Sequence, residues 1–153
     1  GTGRGAAGFD SVPSGAAPPV TPRLRAIRGA ITVERDEADL IYAATRELLS
    51  EIIARNGVDL DHIISVIFTV THDLRSAFPA MAARSMGWLD VPLLCTQEIP
   101  VPGAMARCIR VLLHVESDRK RSAIQHVYLG EAQSLRPDIS EVRPGPESRP
   151  RQG

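Results

Sequence analysis

Residues 108–115 read CIRVLLHV. A period of two puts Ile109, Val111, Leu113 and Val115 on one side and Cys108, Arg110, Leu112 and His114 on the other. The stretch therefore predicts a β-strand with one core face and one mixed face, and it sets an arginine on the mixed face. Two readings of Arg110 stay open at this level. It is either a solvated charge or a guanidinium placed for chemistry.

Working outward, VPLLCT (91–96) and SVIFTVT (65–71) are short β-branched or apolar runs and read as strands. RLRAIRGAITV (23–33) is also strand-like, with Leu24, Ala26, Arg28 and Ala30 on one face. DEADLIYAATRELLSEIIARNG is the clearest helix. Asp36 is placed to cap it, Ile41, Ala44, Leu48 and Ile52 form its apolar stripe, and Gly57 follows its end. AFPAMAARSMG gives a short helix with Pro79 in its first turn and Gly87 at its stop. HVYLGEAQSL (126–135) is ambiguous and is compatible with a last short strand. The order β-α-β-α-β-β predicts an α+β fold, a single domain with a mixed sheet covered by helices.

The chain has 153 residues, enough for one domain with a real core. Residues 1–22 and 141–153 are rich in Gly, Pro and polar residues and read as a flexible leader and tail around a folded unit at 23–140. Basic and acidic residues balance at 18 each, so no global charge points to nucleic acid or an acidic membrane surface. Of the basic residues 17 are arginine and only Lys120 is lysine. Arginine grips carboxylates in a bidentate fork where lysine acts as a point charge. No apolar run reaches the roughly 18 residues of a membrane span, and no signal pattern opens the sequence. Two cysteines in strand-like runs, Cys95 and Cys108, suggest a reducing cytoplasm.

Arg28 repeats the oddity of Arg110, with small neighbours Ala26 and Ala30 that leave room on its face. Glu98 follows the LLCTQ run. Two guanidiniums and a carboxylate near strand ends make either a salt-bridge network or a pocket for a small anion. Other chemistries are weaker. His62, His72, His114 and His126 lack metal-ligand spacing, no Gly-rich phosphate loop follows a strand, and small buried thiols are usually core filler.

IRGAITVERD, FPAMAAR, GWLDVPLLCTQE, CIRVLLHV and HVYLGEAQSLRPD occur here in order and in register. Together they closely resemble the AroH-class monofunctional chorismate mutases, over roughly residues 23–140. The resemblance implies a pseudo-α/β-barrel homotrimer with active sites at subunit interfaces. It implies the pericyclic Claisen rearrangement of chorismate to prephenate, on the route to phenylalanine and tyrosine, with no metal or other cofactor. It casts Arg110 as the donor to the breaking ether oxygen. Arg28 and Tyr128 would hold a carboxylate, and Glu98, with Cys95 beside it, the ring hydroxyl. Phe78, Ala80 and Arg84 would come from the neighbouring subunit, and Leu135 and Arg136 would close the site.

Two departures stand out. Met81 replaces the lysine of the family's FPAKAVR-like form, and Leu94 replaces a small polar residue before Cys95, where backbone approach to the ligand would leave little changed. Two alternatives are a trimeric protein that binds a small dicarboxylate without turning it over and a trimeric enamine/imine deaminase of similar layout. The Cys95–Glu98 segment and the CIRV strand argue against the latter.

Overall fold

The computed structural model describes residues 23–136; the leader 1–22 and the tail 141–153 lie outside them. Five strands form one sheet: β1 (Arg23–Thr32), β2 (Ile63–Val70), β3 (Leu93–Gln97), β4 (Cys108–Ser117) and β5 (Val127–Tyr128). Their spatial order is β3-β2-β4-β1-β5. β4 runs antiparallel to both neighbours, β1 and β2, whereas the edge strands β3 and β5 add in parallel to β2 and β1. The sheet is mixed, and the ambiguous segment at 126–135 resolves into β5 followed by a turn of 3-10 helix over Gly130–Leu135.

Helix α1 spans Ala38–Asn56 and α2 spans Pro79–Ser85. The apolar stripe of α1 is buried as its spacing predicts, with Ile41, Leu48 and Ile52 fully inaccessible. Each such side chain contributes about 1.5–3 kcal/mol of transfer free energy. The stripe packs on the odd-numbered face of the central strands, formed by Ile27 and Ile31 of β1 and Ile109, Val111, Leu113 and Val115 of β4. Gly29 permits the contact: a Cβ there would sit 2.9 Å from Ile52 Cδ1 and 3.1 Å from the Val127 carbonyl oxygen. Gly57 ends α1 in the left-handed conformation and donates its N–H to the Ile53 carbonyl. Asn56 then ties the helix end to the approach to β5, donating to the Gln125 carbonyl at 2.8 Å and accepting from the Gln125 amide at 2.7 Å.

Asp36 does not cap α1. The residue at the cap position is Glu37, whose side chain makes no capping bond. The Asp36 carboxylate instead accepts from the Arg75 and Ser76 amides, at 2.9 and 3.0 Å, and so pins the loop that leads into α2. Those unpaired amides lie next to it in space, which outweighs the local preference. Pro79 opens α2 as expected, and the helix closes at Met86, one residue before Gly87.

Among the described residues, α1 and α2 both cover the same face of the sheet. On the other face a small cluster of Ala30, Cys108, Tyr128 and Ala132, joined by Met105 and Leu135, covers one end. The rest of that face is partly open to solvent.

Candidate active site

β-sheet register assembles the site. Ala30 pairs with both Arg110 and Tyr128, Arg110 with Thr69, and Thr69 with Thr96. Paired residues share a face, so Tyr128, Ala30, Arg110, Thr69 and Thr96 form one row across all five strands on the face opposite α1 and α2. Ala30, between the tyrosine and the arginine, is fully buried with Cys108, Tyr128 and Ala132. Arg28 pairs with Leu112, two positions along β4 from Arg110, so the two arginines are diagonal neighbours with Cβ atoms roughly 7–8 Å apart.

Glu98 lies just past β3, where its amide donates to the Val70 carbonyl at 2.8 Å. Its Oε2 is 3.2 Å from Arg110 Nε, and the same oxygen accepts from the Thr69 hydroxyl. The Arg110 Nε–H is turned off the line to that oxygen, so this buried nitrogen has an ion-pair neighbour but no hydrogen-bond partner. Both side chains are partly buried, at 36% and 22% exposure, where a charge pair is screened less than at the surface. The Cys108 thiol, two residues before Arg110, is pushed up by burial and drawn back by the guanidinium beside it. Arg110 is thus neither freely solvated nor fully buried, and it stands beside a carboxylate.

The start of β4 is clamped. Arg107 has φ 50°, a left-handed backbone that a non-glycine residue adopts at a cost of about 1–2 kcal/mol. Its amide donates to both carboxylate oxygens of Asp73, at 3.1 and 3.0 Å, and its Nε donates to the Val33 carbonyl. The Thr71 hydroxyl donates to Asp73 Oδ1 at 2.6 Å and accepts from the Cys108 amide at 2.9 Å.

At the other end of the row, Gly130 is left-handed (φ 60°), and a Cβ there would meet Thr32 Oγ1 at 2.8 Å. That hydroxyl accepts from the Glu131 amide at 3.0 Å, which seats the 3-10 turn carrying Leu135 onto the Tyr128 cluster. His126 Nδ1 accepts from the Arg28 amide at 3.0 Å. Burial lowers the pKa of His126, and the charges of Arg136 and Arg28 lower it further. Tyr128 and Leu135 thus meet in the small cluster beside Arg110, and Arg28 and Arg136 both act on His126.

The remaining sequence candidates lie elsewhere. Cys95 pairs with Phe68 and packs with the helix-side core, where burial pushes its thiol up. Only its backbone is available to the Glu98 side. Phe78, 69% exposed, and Cys95 line a cleft of about 450 Å³ between α1, α2 and the end of β3. Ala80 and Arg84 belong to α2, so Phe78, Ala80 and Arg84 lie on the sheet's opposite side from Arg110 within one chain. Leu94 and Met81 are exposed. In SVIFTVT, Thr69 reads as one more β-branched strand residue, and no sequence signal sets it apart. Among the described residues no group of three or more His, Cys, Asp or Glu is arranged to hold a metal ion, and no helix is long and apolar enough to cross a membrane.

The described geometry is a guanidinium and a carboxylate held side by side at the sheet, with Arg28 diagonal to Arg110. The chain belongs to the type I chorismate mutase family: the family model matches residues 24–139. The chain is 50% identical over 121 residues to the chorismate mutase AroH of Thermus thermophilus, covering 78% of this chain and 99% of that protein. It is 42% identical over 118 residues to the chorismate mutase AroH of Bacillus subtilis, covering 76% and 93%. A solved chorismate mutase from Clostridium thermocellum matches with TM-score 0.71 and 54% identity, over 72% of this chain and 98% of that one. These relatives give no support to the binding-protein alternative.

Proposed function

We propose that this chain, an isomerase of the chorismate mutase family, rearranges chorismate to prephenate in a homotrimer, with each site shared between two subunits. The Arg110–Glu98 pair on the open sheet face is the observation that carries the reading. The rearrangement is unimolecular and needs no nucleophile, so the protein's work is to hold the compact conformer and stabilise charge on the breaking ether oxygen. In this reading the outer nitrogens of Arg110 donate to that oxygen, and Arg28 and Tyr128 hold a substrate carboxylate. Glu98 and the Cys95 backbone, beside Leu94, take the ring hydroxyl, and Leu135 and Arg136 close the pocket. Because β4 is hydrogen-bonded on both sides, the guanidinium is positioned before substrate arrives.

Assembly is supported by two features of the lone protomer. Among the described residues one sheet face carries neither α1 nor α2, and Phe78, Leu94, Ile99 and Val101 are exposed at 69%, 60%, 78% and 58%. A second copy would also bring Phe78, Ala80 and Arg84 to the side of the sheet they cannot reach in their own chain. Two free cysteines fit a reducing cytoplasm.

The test follows loss of chorismate by ultraviolet absorbance and confirms prephenate by its acid conversion to phenylpyruvate. Arg110→Ala is expected to lose about 10²–10³-fold in kcat, the scale of one preorganised donor. Near-normal turnover in a folded variant would remove Arg110 from the chemistry. For the shared site, Arg110→Ala and Arg84→Glu are co-assembled in equal amounts. Random trimers restore an intact pairing at about a quarter of interfaces, so activity above either variant alone is expected, and none would mean that each site belongs to one chain.

A further inference from the structure

We propose that Thr69 is a positioning residue that keeps Glu98 from closing a two-pronged fork onto Arg110, leaving the arginine's outer donors and Glu98 Oε1 free for the substrate. The inference rests on the chorismate mutase reading and deepens it. An arginine beside a carboxylate prefers two parallel N–H···O bonds, and such a fork would consume the donors that the ether oxygen needs. The structure holds the pair short of it. The Thr69 hydroxyl donates to Glu98 Oε2, the oxygen that faces Arg110 Nε at 3.2 Å. The carboxylate is thereby tied on one oxygen by a neighbour that does not react, and the Arg110 Nε–H is left without a hydrogen bond.

Thr69 is suited to this work by its place. It sits opposite Arg110 on β2 and opposite Thr96 on β3, in the interior of the sheet. The next residue, Val70, accepts from the Glu98 amide at 2.8 Å, so donor and carboxylate are held by the same stretch of backbone. Branching at Cβ restricts χ1, which keeps the hydroxyl on the carboxylate. Serine can make the same bond from a freer side chain, whereas valine keeps the branching and loses the donor.

The experiment compares wild type, Thr69→Val and Thr69→Ser, with Thr69→Ala as the alternative should the valine variant not fold. Oligomeric mass and thermal midpoint serve as controls. In Thr69→Val, kcat is expected to fall about tenfold, the scale of one hydrogen bond to a charged group, with KM changed less than about threefold because Arg28 is untouched. Thr69→Ser should recover most of the loss. A second readout needs no turnover: rotation about the Arg110 Cζ–Nε bond, followed by NMR, should slow in Thr69→Val as the fork closes. Unchanged kcat together with unchanged rotation overturns the inference. Absence of wild-type turnover, with rotation slowed in the variant, refutes the catalytic reading and leaves the positioning role standing.

Discussion

Replacing Asp73 by asparagine removes a charge while keeping the side chain's shape. The carboxylate accepts from the Arg107 amide and the Thr71 hydroxyl. A hydrogen bond to a charged group contributes about 1.5–3 kcal/mol and a neutral one about 0.5–1.5, so the exchange costs about 1 kcal/mol for each of the two donors. Asp73 is only partly buried, and solvent screening draws the total toward 1–2 kcal/mol. For a domain of this size that is a fall of roughly 3–8 °C in Tm. The assay is thermal or guanidinium unfolding at one fixed protein concentration, because the midpoint of an assembling protein depends on it.

The effect has a pH signature. Burial alone would raise the Asp73 pKa, but bonds from Thr71, the Arg107 amide and its own backbone, with the charge of His72, leave it below its ordinary value. A carboxylate depressed in the folded state stabilises fully above its unfolded pKa of about 3.9 and loses that contribution as pH falls through the folded value. The gap between wild type and Asp73→Asn should therefore be constant from neutral pH down to about 5 and close below about 4. A gap of the same size at acid and neutral pH, or one absent at neutral pH, would refute the reasoning.

Further outcomes follow from the same geometry. The pKa of His126 is lowered in the folded state by burial and two arginines, so the unfolded chain binds more protons and stability falls as pH drops below about 6.5; guanidinium midpoints should show this in wild type and lose it in His126→Gln. Gly29→Ala forces a methyl against Ile52 and the Val127 carbonyl and should destabilise by about 1–3 kcal/mol in the same assay. Met81→Lys adds a charge to an exposed position on α2; KM for chorismate should fall up to about fivefold at low ionic strength, and the gain should vanish in high salt.

Much of this fold is legible in local pattern. Alternation in CIRVLLHV separates the helix-packed face from the face of Arg110, and the stripe of α1 with Gly57 behind it gives the longest helix. What escapes the sequence depends on neighbours distant in the chain. Asp36 sits where a cap belongs, yet its partners are amides some forty positions on. β5 is only two residues long because it extends one edge of β1, and no periodicity emerges from so short a run. The left-handed Arg107 carries no glycine to announce it. Of the candidate site, the charged members show as oddities among apolar neighbours. Thr69 does not, since its importance comes from a carboxylate that register alone brings within reach. Cys95 is visible as a residue, but which way its side chain turns follows only from its pairing with Phe68.

The order of strands has a consequence for how the chain is made. β1 comes early in the folded unit, yet both of its neighbours, β4 and β5, come from residues 108–128. A nascent chain emerging at about 5–20 residues per second holds β1, α1 and β2 for seconds before the strand that joins them exists. During that interval the stripe of α1 and the strands beneath it have no completed sheet to rest on. Such non-local pairing slows folding and makes chaperone occupancy during synthesis a natural cost of placing Arg110 on the central strand.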